Sequence, residues 1–142
     1  MIKMNKTEFK LKNYTTTISV TKTVMQIEEL LAKFGASHIM KEFLEDGTIT
    51  SLMFKVNENS YNLPINSEGV YILLFKDKRG NMQQHKEQSE RIAWRVLKDW
   101  LHAQLSLIAS GQAEPEQVLL PYMTDGNCTM YDRYKKGLLL LK

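Results

Sequence analysis

Residues 86–110 constrain the fold most. Ala93, Val96, Trp100, Ala103 and Leu107 recur at helical spacing, and Trp94, Leu97, Leu101, Leu105 and Ile108 form a second stripe beside them. Two adjacent stripes cover more than half of a helix circumference. A helix apolar on so wide a front must be the central core helix, or bury its second stripe against a partner such as another copy. Both tryptophans, Trp94 and Trp100, are expected in the core. Gly111 stands where a C-terminal cap belongs.

The elements around this helix follow from local signals. Residues 14–20, YTTTISV, are rich in Thr, Ile and Val and predict a strand. Thr23 and Gln26 have capping-box spacing, and Val24, Ile27, Leu30, Leu31 and Phe34 then recur helically up to Gly35. A helix over 24–34 is predicted. Residues 38–45 and 48–56 flank Asp46-Gly47, the signature of a type I′ hairpin. A short strand over 61–63 is ended by Pro64. Residues 70–75 are continuously apolar and predict a strand covered on both faces. Residues 76–84 read as an exposed polar loop. Pro115 fits the first turn of a short helix that Pro121 stops, Asp125-Gly126 is a turn, and 129–141 predicts a closing helix or an extended tail. The expected fold is α+β: a mainly antiparallel sheet of four to five strands, one long central helix, and shorter helices packed on it.

Charge divides the chain. Lys3, Lys6, Lys10 and Lys12 against Glu8 account for the whole net charge of +3, so the remainder is neutral. Residues 1–12 are expected to be a mobile basic arm, dispensable for folding, and 13–142 a single α+β domain. No apolar run approaches the roughly 20 residues of a membrane span. The lysines at the start are not followed by a signal-type apolar stretch, and Cys128 is the one cysteine. These features predict a cytoplasmic protein with no disulfide framework and no membrane partner.

Catalytic signatures are absent. The chain has no phosphate-binding glycine loop, no dinucleotide fingerprint, no H-E-x-x-H and no G-x-S-x-G. His38, His85 and His102 have no ligand spacing, and Cys128 has no supporting motif. The sequence therefore points to a non-enzymatic protein, with no catalytic residue, metal ligand or cofactor assigned. The candidate binding residues are basic. Arg91, Arg95, Lys98 and His102 share one helix face, and the preceding loop adds Lys78 and Arg79, with Lys76, His85 and Lys86 close by. The opposing reading is a solvated face with internal Glu87–Arg91 and Arg95–Asp99 pairs. A second cluster, Tyr122, Tyr131 and Tyr134 with Met123 and Met130, is expected to close the core.

Taken together, YTTTISV, the helix ending in Gly35-Ala36, the Asp-Gly hairpin, ERIAWRVLKDW over 90–100, and Leu119-Leu120-Pro121-Tyr122-Met123 resemble small proteins carried by tailed phages and bacterial integrative elements. The resemblance spans most of residues 13–123 and implies a phage or mobile-element context in a bacterial host. It leaves two main readings. One is an anti-CRISPR-type protein that binds and inhibits a host defence nuclease complex. The other is a DNA-binding accessory of phage recombination or replication, contacting DNA or RNA through the basic face. A small enzyme is a third. The neutral body of the chain favours the protein-binding reading.

Overall fold

The computed structural model describes residues 9–137. Its element order is α1 (Val20–Phe34), β1 (His38–Phe43), β2 (Ile49–Val56), β3 (Asn59–Asn62), α2 (Ser67–Phe75), α3 (Met82–Ala109), α4 (Pro115–Leu119), a 3-10 turn (Leu120–Tyr122), β4 (Met123–Thr124) and α5 (Met130–Lys135). The strands form one antiparallel sheet in the order β1-β2-β3-β4. The fold is thus α+β, as expected. Alternation along β2 and β3 turns Leu52, Phe54, Val56 and Tyr61 to one face, where they meet Val24, Ile27 and Leu31 of α1 and Trp94, Leu97 and Leu101 of α3. Phe54 and Tyr61 stack at 5.3 Å across the β2–β3 pair. Among the described residues no helix is long and apolar enough to cross a membrane.

Three local expectations are corrected. Residues 14–20 are not a strand. The chain turns over residues 12–15, and α1 begins at Val20 because the Ser19 side chain accepts a hydrogen bond from the Lys22 amide (3.1 Å). The Tyr14 and Thr16 carbonyls accept from Gln88 Nε2 on α3 instead of from a strand neighbour. Thr23, the expected cap, is wholly buried one turn inside the helix.

Residues 70–75 are helical. Asn66 caps α2 by accepting from the Gly69 amide (3.2 Å), and Glu68 stands in the first turn, where the helix dipole favours an acid. A continuous apolar run has no period, so this N-terminal cap was the one local signal that separated helix from strand.

The Asp-Gly hairpin forms, but as a three-residue loop. The Gly47 amide donates to the Leu44 carbonyl (2.9 Å), the Leu44 amide donates to the Thr48 carbonyl (2.8 Å), and Gly47 alone takes positive φ (88°). This is a type I turn closed by a glycine bulge. Asp46 completes it by accepting from the Thr48 amide (2.9 Å), and the Thr48 hydrogen bonds hold the Asp46 carboxyl below the usual carboxylate range.

The remaining expectations divide. Trp94 is buried in the core, whereas Trp100 is half-buried at its rim, edge-on to Tyr122 at 5.3 Å. Met123 packs on the core, but Tyr131 and Tyr134 are exposed and do not close it. Pro121 does not end the helical path outright; it sits inside the 3-10 turn that follows α4. Of the expected basic arm, residues 1–8 lie outside the described residues. Leu11 is half-buried against α3, and Lys12 lies 3.7 Å from Asp99. Of the expected closing helix, 138–141 also lies outside them.

Candidate binding surface

The basic face of α3 is in part a seam between helices, at Arg95. Arg95 Nη1 donates to Gln26 Oε1 and to Thr23 Oγ1 of α1, and Arg95 Nε is buried. Arg91 donates from Nε and Nη2 to Gln88 Oε1 (2.9 and 2.6 Å), the residue that also holds the Tyr14 and Thr16 carbonyls. The expected Glu87–Arg91 and Arg95–Asp99 pairs do not form: Glu87 accepts from Gln83, and Asp99 accepts from Asn13 (2.9 Å). Lys98 is half-buried. His102 is exposed beside a shallow depression with Leu30, Lys33 and Phe34 of α1. The four residues share a face, but Arg95 is tied to α1 and Arg91 to the Gln88 side chain.

Arg95→Glu is therefore expected to destabilise the fold by about 1–3 kcal/mol, because it removes a donor from a partly buried pair and leaves Gln26 and Thr23 facing a carboxylate. Lys78→Glu with Arg79→Glu, in the exposed loop, is expected to change stability by no more than about 0.5 kcal/mol. Urea unfolding of both variants checks this. Equal stability of the two would return Arg95 to the solvated surface.

The surface that stands out is α2. Its sequence, SEGVYILLF, is almost wholly apolar from Val70 onward, yet no residue of the helix is buried. Ile72 is 52% and Leu73 38% exposed. Beside it lie Phe9 and Tyr14, also exposed. Phe9, Leu11 and Tyr14 with Leu73 and Leu74 line a cleft of about 440 Å³, whose cationic members are Lys10 and Lys78. Leu11 lines a second groove as well, of about 370 Å³, with Val70, Val96, Trp100 and Tyr122. Apolar surface thus continues across both sides of α2.

The loop after α2 is held, not free. Phe75 stacks on His85 of α3 (4.5 Å, 11° between ring planes), and the Lys78 ammonium sits 5.8 Å from the Phe75 centroid. The Lys78 amide donates to the Phe75 carbonyl (3.1 Å), and Asn81 caps α3 through the Gln84 amide. Gly80 lies against the same histidine: a Cβ there would come within 3.2 Å of the His85 ring, at a φ of 128° that L residues rarely adopt. Lys76, Lys78 and Arg79 are exposed on this anchored loop. Of the six sequence-predicted residues, Lys78 lines the α2 cleft and Arg79 is exposed next to it in the chain; Arg91, Arg95, Lys98 and His102 do not line it. Sequence reasoning missed Ile72, Leu73, Phe9 and Tyr14, and the cap at Asn66 was the signal that would have found the helix.

Other chemistry-bearing groups are tied into structure. Asp125 Oδ1 accepts from the Asn127 and Cys128 amides, and Oδ2 accepts from Arg133; these hydrogen bonds lower its pKa to about 2 and fix the loop that carries Cys128. Glu90, in a small polar cleft with Ser67, Tyr71 and Lys86, has its pKa raised, chiefly by burial. Among the described residues no group of three His, Cys, Asp or Glu side chains could hold a metal ion. No family model, curated protein or solved structure matches the chain.

Proposed function

We propose that this chain is a non-enzymatic binding protein of a phage or mobile element, and that it docks through α2 and its lysine-rimmed cleft onto a host defence nuclease complex and inhibits it. The observation that carries this reading is a helix of continuous apolar sequence left without a buried residue. Apolar surface kept in water forgoes about 25 cal/mol per Å², and contiguous patches of it on folded proteins mark contact sites. Lys10 and Lys78 in the cleft, with Lys76 and Arg79 exposed on the loop that follows α2, suit an acidic or phosphate-bearing border around an apolar partner surface.

The same loop cations favour the second reading, a DNA-binding accessory. Purified guide-loaded nuclease complexes and bare duplex oligonucleotides, each titrated with the chain at 0.1 and 0.3 M salt, separate the two. The inhibitor reading expects binding to a nuclease complex, loss of its cleavage activity, modest salt dependence, and no retention of bare DNA. Binding through about four phosphates would instead fall roughly 50-fold between those salt concentrations. Tight, steeply salt-dependent binding to the bare oligonucleotide, with no effect on the nucleases, would overturn the inhibitor reading.

A further inference from the structure

The second surface lies at the opposite side of the sheet from β4. Among the described residues β1 is an edge strand, paired on one side with β2. The peptide groups on its other side can be placed from the hydrogen bonds. The Leu63 amide donates to the Leu52 carbonyl, so even-numbered residues of β2 turn their peptide groups toward β3 and odd-numbered ones toward β1. Met53 and Lys55 therefore bond to their register partners Met40 and His38. The peptide groups of Ile39, Lys41 and Phe43 are left on the outer edge. The Lys41 side chain, a charge of the kind that guards an edge against pairing, is bound to Glu28 of α1 (3.2 Å). Met40, Phe43 and Leu44 are each more than half exposed along this edge.

We infer that β1 pairs antiparallel with β1 of a second copy, in a register centred on Met40, joining two four-stranded sheets into one of eight strands. The side chains select both the occupant and the register. His38, Met40 and Glu42 point to the same uncovered face of the sheet, since alternate residues share a face. A two-fold axis through Met40 sets Met40 against its own copy and His38 against Glu42 of the other chain, twice. An imidazole N–H donor faces a carboxylate acceptor in each such pair. It also sets Ile39 against Lys41, whose outward peptide groups then bond to each other. Because Met40 is registered with Met53 inside each sheet, the pairing lays four methionines in a row across the junction. Thioethers pack adaptably in such a row. A register shifted to centre on Lys41 would place two ammonium groups face to face and lose both His38–Glu42 pairs.

Sedimentation velocity of the full chain between 1 and 200 µM tests the pairing. A dimer is expected. Glu42→Lys, which sets an ammonium against His38, is expected to raise the dimer Kd at least tenfold. The double change His38→Glu with Glu42→Lys exchanges the two partners and is expected to restore it. In a Cys128→Ser background, Met40→Cys is expected to form an intermolecular disulfide on mild oxidation, because opposed residues in a non-hydrogen-bonded pair have Cα atoms about 4.5 Å apart. Met53→Cys, one strand inward, is expected not to. Circular dichroism establishes that each variant is folded. A monomer throughout the concentration range overturns the proposal. So does a dimer that is indifferent to Glu42→Lys and does not cross-link through position 40.

Discussion

Trp94→Ala is expected to leave the domain largely unfolded at 37 °C. Trp94 is 2% exposed and stands in the one core, where α1, α3 and the inner face of the sheet converge. Truncating a side chain of that size in a close-packed interior costs about 3–5 kcal/mol, the lost transfer energy plus the cavity left behind. A domain of this length has about 5–15 kcal/mol in total. Trp100→Ala is expected to cost less than half as much, because Trp100 is half-buried and one side of its ring faces the groove beside Tyr122. Chemical unfolding of both variants measures the difference. A Trp100 variant as unstable as the Trp94 variant would mean that the groove closes over Trp100 in solution.

The largest functional effect is expected from Ile72→Asp with Leu73→Asp. Neither side chain belongs to the core, so the melting temperature should move by only a few degrees. Binding to the target complex should fall at least roughly 100-fold. Two carboxylates at the centre of an apolar contact must be desolvated without partners, and central anchors of this kind carry about 2–4 kcal/mol each. Reversing Lys78 and Arg79 to Glu should act differently. Rim charges steer encounter, so the association rate and its salt dependence should change more than the dissociation rate. Undiminished inhibition by the folded Ile72→Asp, Leu73→Asp variant would remove α2 from the interface.

Much of the architecture was legible because it is written in local pattern. The long helix, the helix ending at Gly35, the hairpin around Asp46-Gly47 and the helix opening at Pro115 each rest on periodicity plus a cap or turn residue within a few positions. The α+β class follows from their order. The proposed docking surface was less legible, and for a consistent reason. Residues 70–75 carry hydrophobicity without a period, so only the packing of α2 on α3 and the cap at Asn66 make them a helix and leave Ile72 and Leu73 outside. Residues 14–20 have β-prone side chains, but the Gln88 amide takes the Tyr14 and Thr16 carbonyls and the Ser19 cap starts α1 at Val20.

The basic face of α3 shows the same division. Helical spacing placed Arg91, Arg95, Lys98 and His102 together, and they are together. Whether Arg95 meets solvent or a neighbour depends on Gln26 and Thr23, distant from it in sequence and adjacent to it only after folding, whereas Arg91 is held by Gln88 one turn before it. By itself the sequence determined which segments are regular, where most of them end and which faces are apolar, because those properties arise within a few residues of chain. The tertiary structure alone decided which tryptophan is core, that Arg95 is occupied by α1 and which apolar face stays in water. Each of those outcomes depends on which distant residue competes for the same contact.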